Sequence, residues 1–512
     1  MDTNASTVME VEVPQSATNP LAALPLELLF RIARYLSTVE FCALRLSCRA
    51  VEQGLFHTFS HEFFSRKQFM MSDFSLKALV DIARHPNLSN KLEHVSFGLE
   101  NLGRFRPREN DLPEQACFYH AALSDQSTIF SSGRAVEMLT EAFAHLPNLK
   151  TVSMRDWNSR TRFRDFDSGL KHWHSYGFPT FVTSTGHRRD TNRINERAGF
   201  TTNVFNAVSA ALAKSGARPE NIELMLRDPV MGLLESGFWV PPRAFEQEKY
   251  KGMLAGLRKL HLSIVIGQYP EAGIYAVRQS PRLRANPPTL DDQGLKSDLN
   301  CNRYIACTAQ SLEWLRINFH VNEVEGADAF MTYFTNPSNS KNSEDKIVYP
   351  KLKQLDIGRV EVAPTSLCAM LEGLPTIETL ILFNTTLMPN ITVLSSPGPG
   401  EMQWQKLLVR LPTILPKLQR VEVYGALESA AGNLHVVVLE RDHYDFIIQV
   451  EDGENAMDEC AKAADKLGYR QDTPEIDSEN GVTEDENNDS GADGDDGDDG
   501  GQQIDDNGNA MD

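Results

Sequence analysis

One phrase constrains this chain more than any other feature: apolar-x-x-apolar-x-apolar, returning between residues 92 and 423. Complete copies stand at Leu92/Val95/Phe97, Leu149/Val152/Met154, Leu257/Leu260/Leu262, Leu312/Leu315/Ile317, Leu352/Leu355/Ile357, Ile377/Leu380/Leu382 and Leu418/Val421/Val423, with a degenerate one at Ile222/Leu224/Leu226. Apolar side chains alternating over a few residues specify a short strand with one buried and one solvated face. Most copies follow a helical phrase, for example Ala135 to Ala144, Phe205 to Ala213, Thr365 to Leu371 and Gln403 to Val409. A Pro or Asn often marks the turn between them, as in Leu146-Pro147-Asn148-Leu149 and Leu415-Pro416-Lys417-Leu418. The repeating unit is helix, turn, strand, and it cannot bury its apolar face without a neighbour of the same kind. The expected class is therefore α/β, with units stacked into a solenoid over residues 61–450.

The stacking is irregular. Successive strand phrases start 25 to 73 residues apart, whereas regular leucine-rich repeats run at roughly 20 to 29. Polar insertions are expected at 158–202, 279–300 and 336–346. The first is modestly basic, with nine Lys or Arg between Arg155 and Arg197 against five acids. Such a charge steers partners weakly, so the segment reads as a solvated surface loop in preference to a docking site for an acidic partner.

At 512 residues and 41 % hydrophobic content the chain has room for at least two folded units. Its seven cysteines carry no paired zinc spacing, which predicts a reduced, intracellular protein in cytoplasm or nucleus. No run reaches the roughly 18 apolar residues of a membrane span, and residues 1–20 form a polar lead-in without signal-peptide character. Neither a membrane nor a nucleic-acid partner is expected. Of the net charge of -20, the segment 471–512 supplies sixteen acids and no Lys or Arg. Too few large apolar groups remain there to offset ordering entropy, so 451–512 is expected to be a disordered acidic tail.

Residues 21–60 read as a compact helical stretch. Leu24, Leu28, Ile32, Tyr35 and Leu36 recur at helical spacing after Pro25, which suits a first turn. Ser37-Thr38-Val39-Glu40 matches a capping box for a second helix. A third start at Ser47 leads to Leu55 and Phe56. A segment this short cannot shelter all its apolar side chains, so part of its surface must meet a partner or the adjoining domain.

The string Leu24-Pro25-x-Glu27-Leu28-x-x-x-Ile32-x-x-Tyr35-Leu36, followed by Leu44-x-x-x-Cys48-Arg49, resembles an F-box. That resemblance implies a three-helix module docking on the adaptor of Skp, cullin and F-box ubiquitin ligases, with Leu24, Pro25, Leu28, Ile32, Leu36 and Leu44 in contact. The repeat region is similar to the divergent leucine-rich repeats found behind F-boxes in filamentous fungi. It implies a concave strand face offering Thr151, Ser153, Lys259, His261, Trp314, Arg316, Gln354, Asp356, Thr379, Ile381, Phe383, Arg420, Glu422 and Tyr424. Of these, Trp314, Arg316, Ile381, Phe383 and Tyr424 are the expected substrate contacts, because aromatic and Arg side chains dominate interfaces.

Catalytic arrangements are weak. No phosphate-cradling loop or nucleophile elbow is present. The His172-Trp173-His174 pair, the Glu440 to Asp445 cluster and the Ser338/Lys341 pair lack the supporting residues that metal binding or nucleophilic chemistry needs. The expected role is thus a non-catalytic substrate receptor with no cofactor and no metal. The alternative is a leucine-rich scaffold that binds basic proteins through its acidic tail.

Overall fold

Pro25 stands at the N-cap of α1 (Leu26–Ala33), where its missing N–H leaves no bond unmade. The capping box then starts α2 (Thr38–Leu46): the Ser37 N–H donates to Glu40 Oε2 at 2.9 Å, and the Glu40 N–H donates to Ser37 Oγ at 3.3 Å. Cys48 caps α3 (Arg49–Phe64), which runs two turns beyond the Phe56 expected to close it. Both shorter helices pack on α3. Leu29, Ala33, Phe41, Val51, Leu55 and Phe63 form a core of their own, distinct from the core of the body.

The computed structural model describes residues 21–469 apart from 22–23, 104–111, 158, 161–163, 166–171, 187–193, 228–231, 239, 241–243, 266–299, 321–323, 336–345, 389–401, 431–432, 440–444 and 450–454. The expected lead-in (but for Leu21 in its successor segment), the later two insertions and the segment 471–512 thus lie largely or wholly outside the described residues.

The body is a mixed α/β structure on a 13-stranded, mostly parallel sheet. Strands β1 (Arg66–Met70), β2 (His94–Gly98), β3 (Thr151–Arg155), β4 (Asn221–Met225), β5 (Lys259–Val265), β6 (Trp314–His320), β7 (Gln354–Val362) and β8 (Thr379–Leu387) are neighbours in chain order, every pair parallel. β9 (Arg420–Tyr424) and β10 (Leu427–Ala430) both run along β8. β11 (Asn433–Leu439), β12 (Asp445–Gln449) and β13 (Leu467–Tyr469) close the sheet in antiparallel fashion. Each apolar phrase becomes one of the strands β2 to β9, and its alternate residues, such as Val95 and Phe97 or Leu315 and Ile317, enter one continuous core with the helices.

A row of charges runs along the strand entrances. Register aligns Glu93, Lys150, Glu220, Arg258, Glu313, Lys353 and Glu378, one before each of β2 to β8, with strictly alternating sign. Lys150 bonds Glu93 at 2.9 Å, Arg258 makes a two-bond fork to Glu313 at 2.9 Å each, and Lys353 reaches Glu378 at 3.2 Å. Any one-repeat slip would set like charges side by side.

Two expectations are corrected. The tail does not begin at 451: helix Ala456–Lys466 is capped by Asn455, and Cys460, Ala463, Ala464 and Leu467 enter the core. Nor is 158–202 simply a solvated loop, because Asp165, Ser175 and Thr185 are buried. Its Tyr176 backbone pairs with the edge of β1, donating to Gln68 O at 2.8 Å and accepting from the Met70 N–H at 3.2 Å.

Candidate functional site

The first site is the outer side of the three-helix module. On α1 the stripe Leu29 and Ala33 faces inward, so Leu28 and Ile32, spaced i, i+4, face out, and Tyr35 follows in the turn after the helix. Leu28 is 46 % exposed, Ile32 41 % and Tyr35 82 %. The outward stripe of α2 is Val39, Ala43 and Leu46, with Val39 78 % and Leu46 85 % exposed. Isolated apolar side chains on a surface are ordinary; an outward apolar stripe on each of two consecutive short helices is not.

The six residues expected to contact an adaptor divide by burial. Pro25, Leu28 and Ile32 are exposed, whereas Leu24, Leu36 and Leu44 are half-buried against the module's own core. Sequence reasoning missed Leu26, Val39 and Leu46 as outward residues. Leu26 sits over α3 where Gly54 has no side chain; a Cβ there would lie 3.2 Å from Leu26 Cδ1.

The body grips this module through two residues of the insertion. Arg164 donates to the Ala33 and Leu36 carbonyls at the end of α1, forks onto Glu62 of α3, and lies 4.4 Å from the ring centroid of Phe41 on α2. A cation on the carbonyls at a helix C-terminus is electrostatically favoured. Asp165 accepts the Thr38 N–H at 2.8 Å and the Thr38 hydroxyl at 2.5 Å, at the start of α2. Aromatic contacts continue from Phe41 through Phe63, Phe59 and Phe64, and Lys67 lies over both Phe64 and Tyr176.

The second site is the sheet face opposite the helices. Register sets a middle row across it: Gln68, Ser96, Ser153, Glu223, His261, Arg316, Asp356, Ile381, Glu422 and Ile447. Its β2–β3 end is a hydroxyl and imidazole cluster, with Ser96 Oγ 2.7 Å from Ser153 Oγ and His94 Nε2 2.8 Å from Ser153 Oγ. Burial, helped by Arg66, Arg155 and Lys259, holds the His94 pKa down to about 3.

Further along, Asp356 accepts from Trp314 Nε1 at 3.0 Å, Arg316 Nε at 2.9 Å and Gln354 Nε2 at 3.0 Å. Burial nevertheless raises its pKa, against the opposing pull of Arg316. Lys259 bonds Glu223 at 2.9 Å and lies 4.0 Å over the Trp314 ring. His261 meets the same ring edge-on at 4.7 Å, and its pKa is well below the ordinary value, chiefly through burial.

All five residues expected to contact substrate lie on this face, in two groups. Trp314 and Arg316 belong to the Asp356 network. Ile381, Phe383 and Tyr424 neighbour one another in register, with Phe383 6.4 Å from Tyr424 between ring centroids. Ile447 joins them beside Glu422, an addition the sequence did not suggest because β12 follows no repeat phrase. Ser153, His261, Asp356 and Glu422, expected to be offered outward, are on the face but buried among these longer side chains.

Among the described residues no three His, Cys, Asp or Glu side chains are grouped as metal ligands. His174 packs on Phe178, while the Ser338/Lys341 pair and residues 440–444 lie outside the described residues. No described helix is long and apolar enough to cross a membrane. None of the seven cysteines is in a disulfide. A comparison with protein-family models finds no match, and a comparison with curated proteins finds none.

Proposed function

We propose that this protein is the substrate-recognition subunit of a Skp, cullin and F-box ubiquitin ligase. The three-helix module is read as the F-box, and the helix-backed parallel sheet as an irregular leucine-rich repeat solenoid. One observation carries the reading: α1 is apolar on two sides, and only one of them fills the module's own core.

The exposed stripes have an energetic consequence. Full burial of a large aliphatic side chain is worth roughly 1.5 to 3 kcal/mol relative to exposure, so covering what Leu28, Ile32, Val39 and Leu46 still expose works against the cost of association. The sheet face supplies the second binding surface. A receptor with two such surfaces needs no chemistry of its own, since it acts by raising the concentration of a bound protein near a ubiquitin-charged enzyme.

The test is reconstitution. The chain mixed with a Skp-type adaptor should migrate as a one-to-one complex in size exclusion, and that complex should recruit a cullin. Separate migration of chain and adaptor at micromolar concentrations would contradict the reading.

A further inference from the structure

We propose that the sheet face recognises an extended peptide segment bearing an acidic side chain about three residues from a large apolar one. The acid meets Arg316 beside His261, and the apolar group meets Ile381 and Phe383. This inference deepens the receptor reading and rests on it for the sheet face alone, not for the adaptor.

Arg316 is built to present an anion-binding fork. Asp356 holds its Nε from one side, and among the described residues the two terminal nitrogens make no other hydrogen bond. The side chain is half-exposed. A guanidinium anchored in this way offers two parallel donors in the geometry that a carboxylate or phosphate accepts.

The neighbouring position in register is His261. It is 2 % exposed, yet neither ring nitrogen has a hydrogen-bond partner. A buried polar group left unbonded costs free energy.

Charge is layered here. The acids Glu223, Asp356 and Glu422 are buried, while the Lys259, Arg316 and Arg420 side chains bonded to them remain partly exposed. An approaching side chain therefore meets cations first, with their counter-charges beneath. Two strands further along the same row the chemistry turns apolar at Ile381, with Phe383, 39 % exposed, two residues on along the same strand; Ile447, 52 % exposed, stands two strands beyond.

Spacing follows from sheet geometry. Strands lie about 4.8 Å apart and an extended chain advances about 3.3 Å per residue, so the two strand steps from Arg316 on β6 to Ile381 on β8 span about three residues. A peptide crossing the strands thus brings an acid and an apolar group to the two places together.

The experiment is selection of random peptides on the full-length chain, followed by anisotropy titration of those recovered. Enrichment of Asp or Glu about three residues from Leu, Ile or Phe is expected. Replacing the acid by its amide, or Arg316 by Ala, should weaken binding at least about tenfold. Because R316A alone strands the Asp356 carboxylate, R316A/D356N is measured as well, with folding checked by its thermal transition. Phosphoserine in place of the acid tests the source of the oxyanion: tighter binding assigns a modified partner, weaker binding a carboxylate. Peptides that lose binding with F383A but ignore Arg316 and the acid would overturn this inference while leaving the face as a recognition surface. Peptides indifferent to all these changes, or no enrichment, would overturn both.

Discussion

Arg164 and Glu62 meet as a fork, with Nε donating to one carboxylate oxygen at 2.8 Å and Nη2 to the other at 2.7 Å. The pair joins an insertion of the body to the last helix of the module, and the remaining guanidinium nitrogen holds the end of α1. The direction in which the module offers its apolar stripes is therefore set by the body. On the proposed reading, such a joint would hold a bound protein at a fixed place relative to the adaptor.

Replacing Arg164 with Ala should loosen the module locally. Its side chain is mostly buried and Glu62 only partly so, which places the loss at about 2 kcal/mol, under the range for fully buried pairs. Hydrogen exchange should quicken in α1, α2 and α3 while β2 to β8 keep their protection. Unchanged exchange in residues 26–64 would mean that the clamp contributes nothing.

The alternating charges at the strand entrances predict a salt-dependent stability. Arg258 lies between Glu220 and Glu313, so R258E places three acids in a line. Exposed pairs contribute little individually, so the reversal should lower the midpoint measurably at low salt, with much of the loss recovered at 0.5 M salt through screening. Denaturant midpoints of wild type, R258A and R258E at two salt concentrations measure this; equal midpoints would contradict it.

Stability should fall early on acidification. His94 and His261 are kept neutral by burial, while an unfolded chain protonates them near pH 6.5. Below about 6.5 the unfolded state binds more protons, down to about 3 in the case of His94, so stability drops as pH drops, by up to about 1.4 kcal/mol per pH unit for each His. Asp356 works in the other direction, because its raised pKa lets the native state take up that proton first. Denaturation curves at pH 7.5, 6.0 and 5.0 should show a decline that H261Q reduces; a flat profile from 7.5 to 5.0 would contradict it.

How much of this was legible in the sequence depended on whether the signal was local. Strands β2 to β9 each coincide with an apolar phrase, and the Ser37/Glu40 box begins a helix as its residue types require. β1 was missed because Arg66-Lys67-Gln68 hides its single buried stripe behind polar residues. Helical spacing revealed an apolar stripe through Leu28 and Ile32 but could not say that Leu29 and Ala33 would take the inside. The clamp was beyond reach, since Arg164 and Ala33 are 131 residues apart. The charge ladder was readable, one position before each strand, for anyone comparing signs between phrases.

The acidic segment offers a discriminating deletion. If adaptor binding belongs to the module, removing 471–512 should leave it within about twofold, because that segment carries sixteen acids but no part of α1 or α2. Should the scaffold role hold instead, the same deletion abolishes salt-sensitive binding to basic proteins such as histones. Titrations of both partners with the truncated chain separate the two. Loss of the adaptor on truncation would count against the module.

The most direct measurement is the affinity of a Skp-type adaptor for the L28D/I32D double variant. These two side chains are exposed, so their replacement leaves the module's own core intact, whereas Leu24 packs against that core and is unsuited to the test. The account predicts at least about a hundredfold loss of affinity, two buried aliphatic groups being replaced by desolvated carboxylates, with the thermal transition of the chain unchanged. Adaptor binding at wild-type strength by a folded L28D/I32D protein would contradict it.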